Sequence, residues 1–415
     1  MRLLSLTLEN IGPFDTAELS FLDGPEDEVP VTFITGENGT GKSIVLDAIR
    51  GLFGPTYATL ERSIVRKDVS FLISAPTVVN GQRVEMRSRK RDPEHGGWFR
   101  PESFETKHPT LQSPYVGTPD PITSGWVVDY WRPGIATDSF DIEKLAKPEP
   151  AEYLRGALQG TLRNAEVTEF ICFFDYLRDS RSPEERQTGD LLYETIAKII
   201  KASVLDGELD HVERSSLTPI IKQSGQLVPI GNLSAGNAYL IQRLIGLLGK
   251  MYAVHVLRKT PPEELCTTPG LLLIDEAESH LHPRWQKRFV RDILSVFPNL
   301  QIIATTHSPF ILSSTPGARV FVCRYDREAE SCIVEQQHDS FSNKPVDEVV
   351  LSGAFDGTQP FGPEISELLE RRAQAQRDGD EKVRHEIERE LQRRNPQYFG
   401  FLDVEERLRA LGGGG

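Results

Sequence analysis

Four short stretches of this sequence carry residue types at spacings suited to chemistry on phosphate. The first, "VTFITGENGTGKSIVLDAIRGLFG" at residues 31–54, fits G-x-x-x-x-G-K-[ST] through Gly36, Gly41, Lys42 and Ser43. Glycines let such a loop turn its backbone N–H groups inward, and the helix that follows presents its positive N-terminal end. Asn38 and Gly39 lie inside the loop, Lys42 is spaced to reach the terminal phosphates, and Ser43 is left to hold Mg2+. Together these residues predict a site for a nucleoside triphosphate. The second stretch, "GLLLIDEAESHLHP" at 270–283, ends an apolar run in two acids. Asp275 is suited to hold Mg2+ through water, and Glu276 to orient and deprotonate the attacking water.

The third stretch, "NLQIIATTHSPFIL" at 299–312, places His307 just after an apolar run, where it could touch the γ-phosphate. The fourth, "IGNLSAGNAYLIQRLIGLL" at 230–248, sets Ser234 and Gly236 in a turn at the start of a helix. A serine, backbone N–H groups and a helix N-terminus make a second anion site. Since one chain needs a single γ-phosphate cradle, this second site is expected to serve a nucleotide held by another copy.

These residues need elements to position them. Residues 31–35 read as a buried strand, 36–41 as a loop, and 43–52 as a helix with Ile44, Leu46, Ile49 and Leu52 near helical spacing. Residues 271–274 and 300–304 are continuous apolar runs, as in strands covered on both faces. Polar groups at the carboxyl ends of such parallel strands face one crevice, where ligands of open α/β sheets collect.

The remaining composition narrows the classes. The chain has 415 residues, 38% hydrophobic and 26% charged, an ordinary globular mixture. A formal net charge of -14 argues against a protein that coats nucleic acid over its whole surface, so any DNA contact must be local. Cys172, Cys266, Cys323 and Cys332 lack CxxC spacing and suggest neither a disulfide framework nor a zinc knuckle. No apolar run is expected to reach the roughly 20 residues of a membrane helix, and the N-terminus reads as a strand rather than a secretory signal. A cytoplasmic protein without membrane partners is expected.

Taken together, the four motifs resemble the ABC-type ATPase heads of the SMC, RecF and OLD group. By that resemblance "GENGTGKS" is the Walker A loop, "NLSAGN" the signature motif, "LLLIDEAE" the Walker B strand and His307 the switch histidine. The start "LLSLTLENIGPF" is similar to the first strand of those heads, and "ESHLHP", with Glu278 and His282, to the compact OLD-like branch. The resemblance implies ATP and Mg2+ as ligands and heads paired head to tail, sandwiching ATP between Walker A of one copy and the signature of the other. The signature reads "LSAGN" rather than "LSGGQ", no convincing Q-loop glutamine stands out (Gln82 and Gln112 are the options), and the long coiled-coil arms of SMC proteins are missing.

The expected architecture is an α/β P-loop ABC-type head in two halves, 1–60 and 228–340. An insertion at 61–227 carries a β-hairpin lobe, Pro/Gly-rich loops and a helical subdomain, and a helical extension follows at 341–415. Asn80-Gly81 signals a hairpin whose second strand ends in "RSRKR" at 87–91, either a patch for DNA or an acidic partner, or a strand edge blunted by charge. Residues 92–150, with Trp98, Trp126 and Trp131, read as irregular loops, and 150–203 as helical. Closing strands are expected near 320–324 and 332–336, then two antiparallel helices, a short final helix, and a local cluster of Tyr398, Phe399, Phe401 and Leu402.

What the resemblance implies is an ATPase whose cycle controls a separate effector, as in Septu-type bacterial anti-phage ATPases that work with an HNH nuclease. The tail leaves no room for a TOPRIM nuclease domain. Two other readings stay open: a RecF-like repair ATPase that binds DNA itself, and a nucleotide-locked scaffold with little turnover.

Overall fold

The computed structural model describes residues 1–21, 30–53, 71–79, 81–89, 125–338, 340–355 and 361–402. They divide into two compact units, 1–349 and 350–415.

The described residues of the first unit form two large sheets and a smaller three-stranded one. One begins with strands β1 (Arg2–Leu3), β2 (Ser5–Ile11) and β3 (Phe14–Ser20). Strand β4 (Val31–Gly36) enters the second sheet and leads through the glycine loop into helix α1 (Lys42–Phe53). Strands β5 (Leu72–Val79) and β6 (Gln82–Arg89) then form an antiparallel hairpin and return to the first sheet, β5 pairing with β1 and β2. The hairpin expected here is present, although Asn80 lies outside the described residues; Gly81 has φ +77°, which glycine adopts readily. Far from being a separate lobe, it shares a sheet with the N-terminal strands. Of the basic run 87–91, residues 90 and 91 lie outside the described residues, and Arg87 pairs with Glu85.

The second sheet has the order β14-β13-β4-β12-β11-β7. Strand β7 (Val127–Trp131) is buried along its whole length, so part of the stretch expected to be irregular is an edge strand of this second sheet. The signal was the run "WVVDYW", an apolar segment of strand length; Trp98 lies outside the described residues. Helices α2 (Pro150–Arg155), α3 (Asn164–Leu177) and α4 (Pro183–Ser203) follow, as the pattern predicted. A three-stranded antiparallel meander of β8 (Gly207–Glu213), β9 (Thr218–Gln223) and β10 (Gln226–Pro229) precedes the signature turn.

Helix α5 (Ala235–Arg258) is the long central helix, nearly all buried. By length and apolarity it passes for a membrane span, contrary to the expectation that no run would; it is instead a core helix of this unit. Strands β11 (Gly270–Ile274) and β12 (Leu300–Thr305) are parallel to each other and flank helix α6 (Phe289–Val296) in sequence. Strands β13 (Arg319–Asp326) and β14 (Ser331–Gln337) close the sheet, β13 parallel to β4 and β14 antiparallel to β13. Every residue of β4, β11 and β12 is buried, the signature of strands covered on both faces.

The second unit is a helical hairpin of α7 (Pro363–Arg377) and α8 (Glu381–Arg394), turning at Gly379 with φ +71° and followed by the short α9 (Pro396–Phe399). The Arg372–Glu388 and Arg394–Glu364 ion pairs show the two helices to be antiparallel. Phe399 and Leu402 are buried with Ile387 and Leu391, whereas Tyr398 and Phe401 stay largely exposed. Tyr398, though exposed, sets its ring against Phe361 and Phe399 at 4.8 and 5.2 Å, so most of the expected apolar cluster packs inside its own unit.

Candidate functional site

The carboxyl ends of β4, β12, β11 and β7 meet at one edge of the second sheet, and the candidate residues gather there. The loop leaving β4 is shaped by glycine. Gly36 has φ +131°, and a Cβ built on it would lie 1.9 Å from the carbonyl oxygen of Cys323; at Gly41 (φ +95°) it would lie 2.7 Å from the Phe14 ring. Gly39, at φ +84°, faces open space. The β2–β3 turn therefore braces the loop from one side and β13 from the other, while Asn38 and Gly39 form an exposed tip.

Lys42 is buried, and its Nζ donates to the carbonyl oxygens of Gly36 (3.0 Å) and Glu37 (2.7 Å). Burial lowers its pKa, while the Cys323 thiol and the carboxylates of Asp275, Glu278 and Glu276 pull the other way. Burial pushes the Cys323 thiol up to about 12, leaving it an inert neighbour.

Across the crevice a network of oxygens converges on Asp275. Ser43 donates to its Oδ1 at 2.9 Å, Thr305 Oγ1 donates to the same oxygen at 2.7 Å, and the Tyr130 hydroxyl lies 3.4 Å from Oδ2. Burial and the adjacent Asp275 carboxylate raise the Tyr130 pKa, so the phenol keeps its proton and remains a donor. Thr305 Oγ1 also accepts the backbone N–H of Glu276 at 2.7 Å. Glu276 has φ +51°, unusual for a residue with a side chain, and its Oε2 accepts a hydrogen bond from Ser279 at 2.9 Å.

Glu278 holds the histidine segment: Thr306 Oγ1 donates to its Oε2 at 2.6 Å and the His307 backbone N–H to its Oε1 at 2.8 Å. Partial burial and the Lys42 ammonium both lower the His307 pKa, favouring a neutral imidazole. His282 has a different part, its Nδ1 accepting the Arg284 N–H at the start of the short helix Pro283–Gln286.

Sequence spacing singled out Lys42, Ser43, Asp275, Glu276 and His307, and electrostatic coupling and hydrogen bonds tie these together. Ser234 and Gly236 stand apart from that network. Ser234 is exposed and its Oγ accepts the Asn237 N–H at 3.4 Å, capping α5; Gly236 packs so tightly on the His280 carbonyl that a Cβ would lie 2.6 Å from it. Of the two glutamines considered for a Q-loop, Gln82 opens β6 and Gln112 lies outside the described residues. The strand that ends beside Asp275 is β7, which brings Tyr130 there instead. Tyr130 and Ser279 were missed; Thr305 stood in the polar Thr305–Thr306–His307 cluster expected to face the crevice, where it does lie, but without a role of its own.

The donor set fits MgATP. Ser43 and Asp275 supply hard oxygens within hydrogen-bond distance of each other, the kind of ligand Mg2+ takes alongside water and phosphate. A glycine loop between a buried strand and a helix, with paired acids two strands away, defines an ATPase of the P-loop, AAA/ABC type.

Within that class the family is shown by comparison. Residues 31–313 match the family described as "AAA domain, putative AbiEii toxin, Type IV TA system", and the chain belongs to it. It is 21% identical over 385 residues to the "Retron Vc95 probable ATPase" of Vibrio cholerae serotype O1 biovar El Tor, covering 76% of this chain and 73% of that protein. It is 22% identical over 342 residues to "Septu protein PtuA" of Bacillus thuringiensis, covering 78% and 76%. Among solved structures, the SMC head domain from Thermotoga maritima is similar at 15% identity and a TM-score of 0.44, over 82% of this chain and 100% of that one.

Proposed function

We propose that this chain binds ATP with Mg2+ in the 36–43 cradle and hydrolyses it, and that the cycle controls a separate effector in bacterial antiviral defence. The observation that carries the catalytic half is the shared hydroxyl network: Ser43 and Thr305 donate to Asp275 Oδ1 at 2.9 and 2.7 Å, and the same Thr305 hydroxyl accepts the Glu276 N–H at 2.7 Å. In this reading the 36–41 loop and Lys42 hold the β- and γ-phosphates, with Asn38 and Gly39 at the loop tip. Ser43 and Asp275 hold Mg2+, which when bound neutralises charge on the triphosphate. Glu276 orients water and takes its proton, and His307, neutral, donates to the γ-phosphate.

Ser234 and Gly236 are assigned to the ATP of a second copy, so that two heads pair head to tail. The exposed position of Ser234, with no bond to the Asp275 network among the described residues, supports that assignment. The likeness to proteins named Septu PtuA and retron ATPase supports the defence role and an effector partner such as an HNH nuclease, with the chain acting in the cytoplasm. Its net charge of -14 favours control of such a partner over broad DNA binding.

The reading is tested by ATP turnover and nucleotide binding in purified protein. Lys42→Ala should lose ATP binding, and Glu276→Gln should keep binding while turnover falls about a hundredfold or more. Wild-type protein that neither binds nor hydrolyses ATP would refute it, and turnover left intact by Glu276→Gln would remove Glu276 from the mechanism.

A further inference from the structure

Resting on the ATPase reading above, we propose that Thr305 is a positioning residue that locks the metal-holding Asp275 and the base Glu276 into one geometry. Thr305 is 1% exposed, and its hydroxyl bonds both of them. It donates to Asp275 Oδ1 at 2.7 Å and accepts the Glu276 N–H at 2.7 Å. Parallel pairing of β11 with β12, which sets Ile274 opposite Ala304, places the next residues of the two strands side by side. The Thr305 backbone carbonyl adds a third tie by accepting the Ala277 N–H at 2.9 Å.

Two features make the hydroxyl more than a filler. Glu276 sits at φ +51°, a sparsely populated conformation for a residue with a Cβ, which persists only where surrounding bonds hold it. Without the hydroxyl its N–H loses the acceptor that fixes this turn. Asp275 Oδ1 is also shared: Ser43 and Thr305 both donate to it, so Thr305 fixes the carboxylate on one side while Ser43 approaches from the other. A carboxylate held in this way keeps its other lone pairs aimed at a cation instead of rotating. One threonine therefore couples metal grip to base position, which neither Asp275 nor Glu276 achieves alone.

The test compares wild type, Thr305→Val and Thr305→Ser in two measurements. The first titrates Mg2+ against binding of a fluorescent, non-hydrolysable ATP analogue; the second separates kcat from KM for ATP. Thr305→Val should bind the analogue in EDTA within about twofold of wild type, require about tenfold more Mg2+ for half-maximal tightening, and lose about tenfold to a hundredfold in kcat with a smaller change in KM. Thr305→Ser, which keeps the hydroxyl, should recover most of both. Should the valine variant fail to fold, Thr305→Cys, whose S–H is a weak donor, carries the same comparison. A wild-type Mg2+ midpoint and kcat in Thr305→Val, or a serine variant as impaired as the valine one, would overturn the role of Thr305. Wild-type protein that does not bind the analogue in Mg2+ would instead overturn the ATPase reading beneath it.

Discussion

At the scale of single residues, the glycines of the 36–41 loop are not interchangeable. All three of Gly36, Gly39 and Gly41 have positive φ, yet only Gly36 and Gly41 are also hemmed in, by the Cys323 carbonyl and by Phe14. Gly39→Ala should therefore cost only the conformational penalty, about 1–2 kcal/mol. Gly36→Ala must add the displacement of β13 backbone and should exceed about 3 kcal/mol. Chemical denaturation of the two variants checks the order, and equal losses would contradict it. The motif residues were legible because a phosphate loop fixes residue types at short spacing. Tyr130 and Ser279 were not, nor was the bridging part of Thr305, whose place at the crevice was readable, since what they do depends on strand register and on a turn at Glu276, which spacing along the chain does not encode.

At the scale of elements, α5 is the clearest case of tertiary wiring hidden from periodicity. Its apolar face was readable, but the roles of its buried polar residues Arg243, Lys250 and His255 were not. Arg243, 4% exposed, donates to the carbonyls of Arg132 and Gly134 in the loop that leaves β7 and of Gly160 between α2 and α3, tying the helix to both. Lys250 pairs with Asp129 at 3.2 Å inside β7. Arg243→Met should destabilise by about 3 kcal/mol or more, because three carbonyls lose a charged donor at once, and Arg243→Lys by less; urea midpoints measure both. Near the helix end, buried His255 faces Thr260 and Thr268 with its two ring nitrogens, and burial lowers its pKa. The unfolded chain takes up that proton first as pH falls. This share of stability is therefore complete above about pH 6.5 and is lost as pH drops through the lowered folded value. Melting temperatures of wild type should fall between pH 7 and pH 5.5 by more than those of His255→Gln. Parallel curves would assign the acid sensitivity elsewhere.

At the scale of the whole molecule, the question is whether each active unit is one chain or two. Ser234 caps its own helix and lies exposed, with no bond to the Ser43–Asp275 network among the described residues. If it serves the ATP of another copy, Lys42→Ala and Ser234→Arg damage opposite halves of a shared site, and each variant alone should be inactive. Mixed in equal amounts they should regain about a quarter of wild-type turnover, since half of randomly formed pairs are mixed and each mixed pair holds one intact site of two. Recovery should require ATP and should track the mass of the pair by light scattering. If both residues instead acted on a nucleotide within one chain, no mixture could rebuild a complete site and turnover would stay at the level of the separate variants. Pairing also bears on why the chain carries a net charge of -14. Like-charged copies repel at long range, so association must rest on short-range contacts; raising salt should screen the repulsion and strengthen ATP-dependent pairing, the opposite of what a phosphate-coating DNA protein would show.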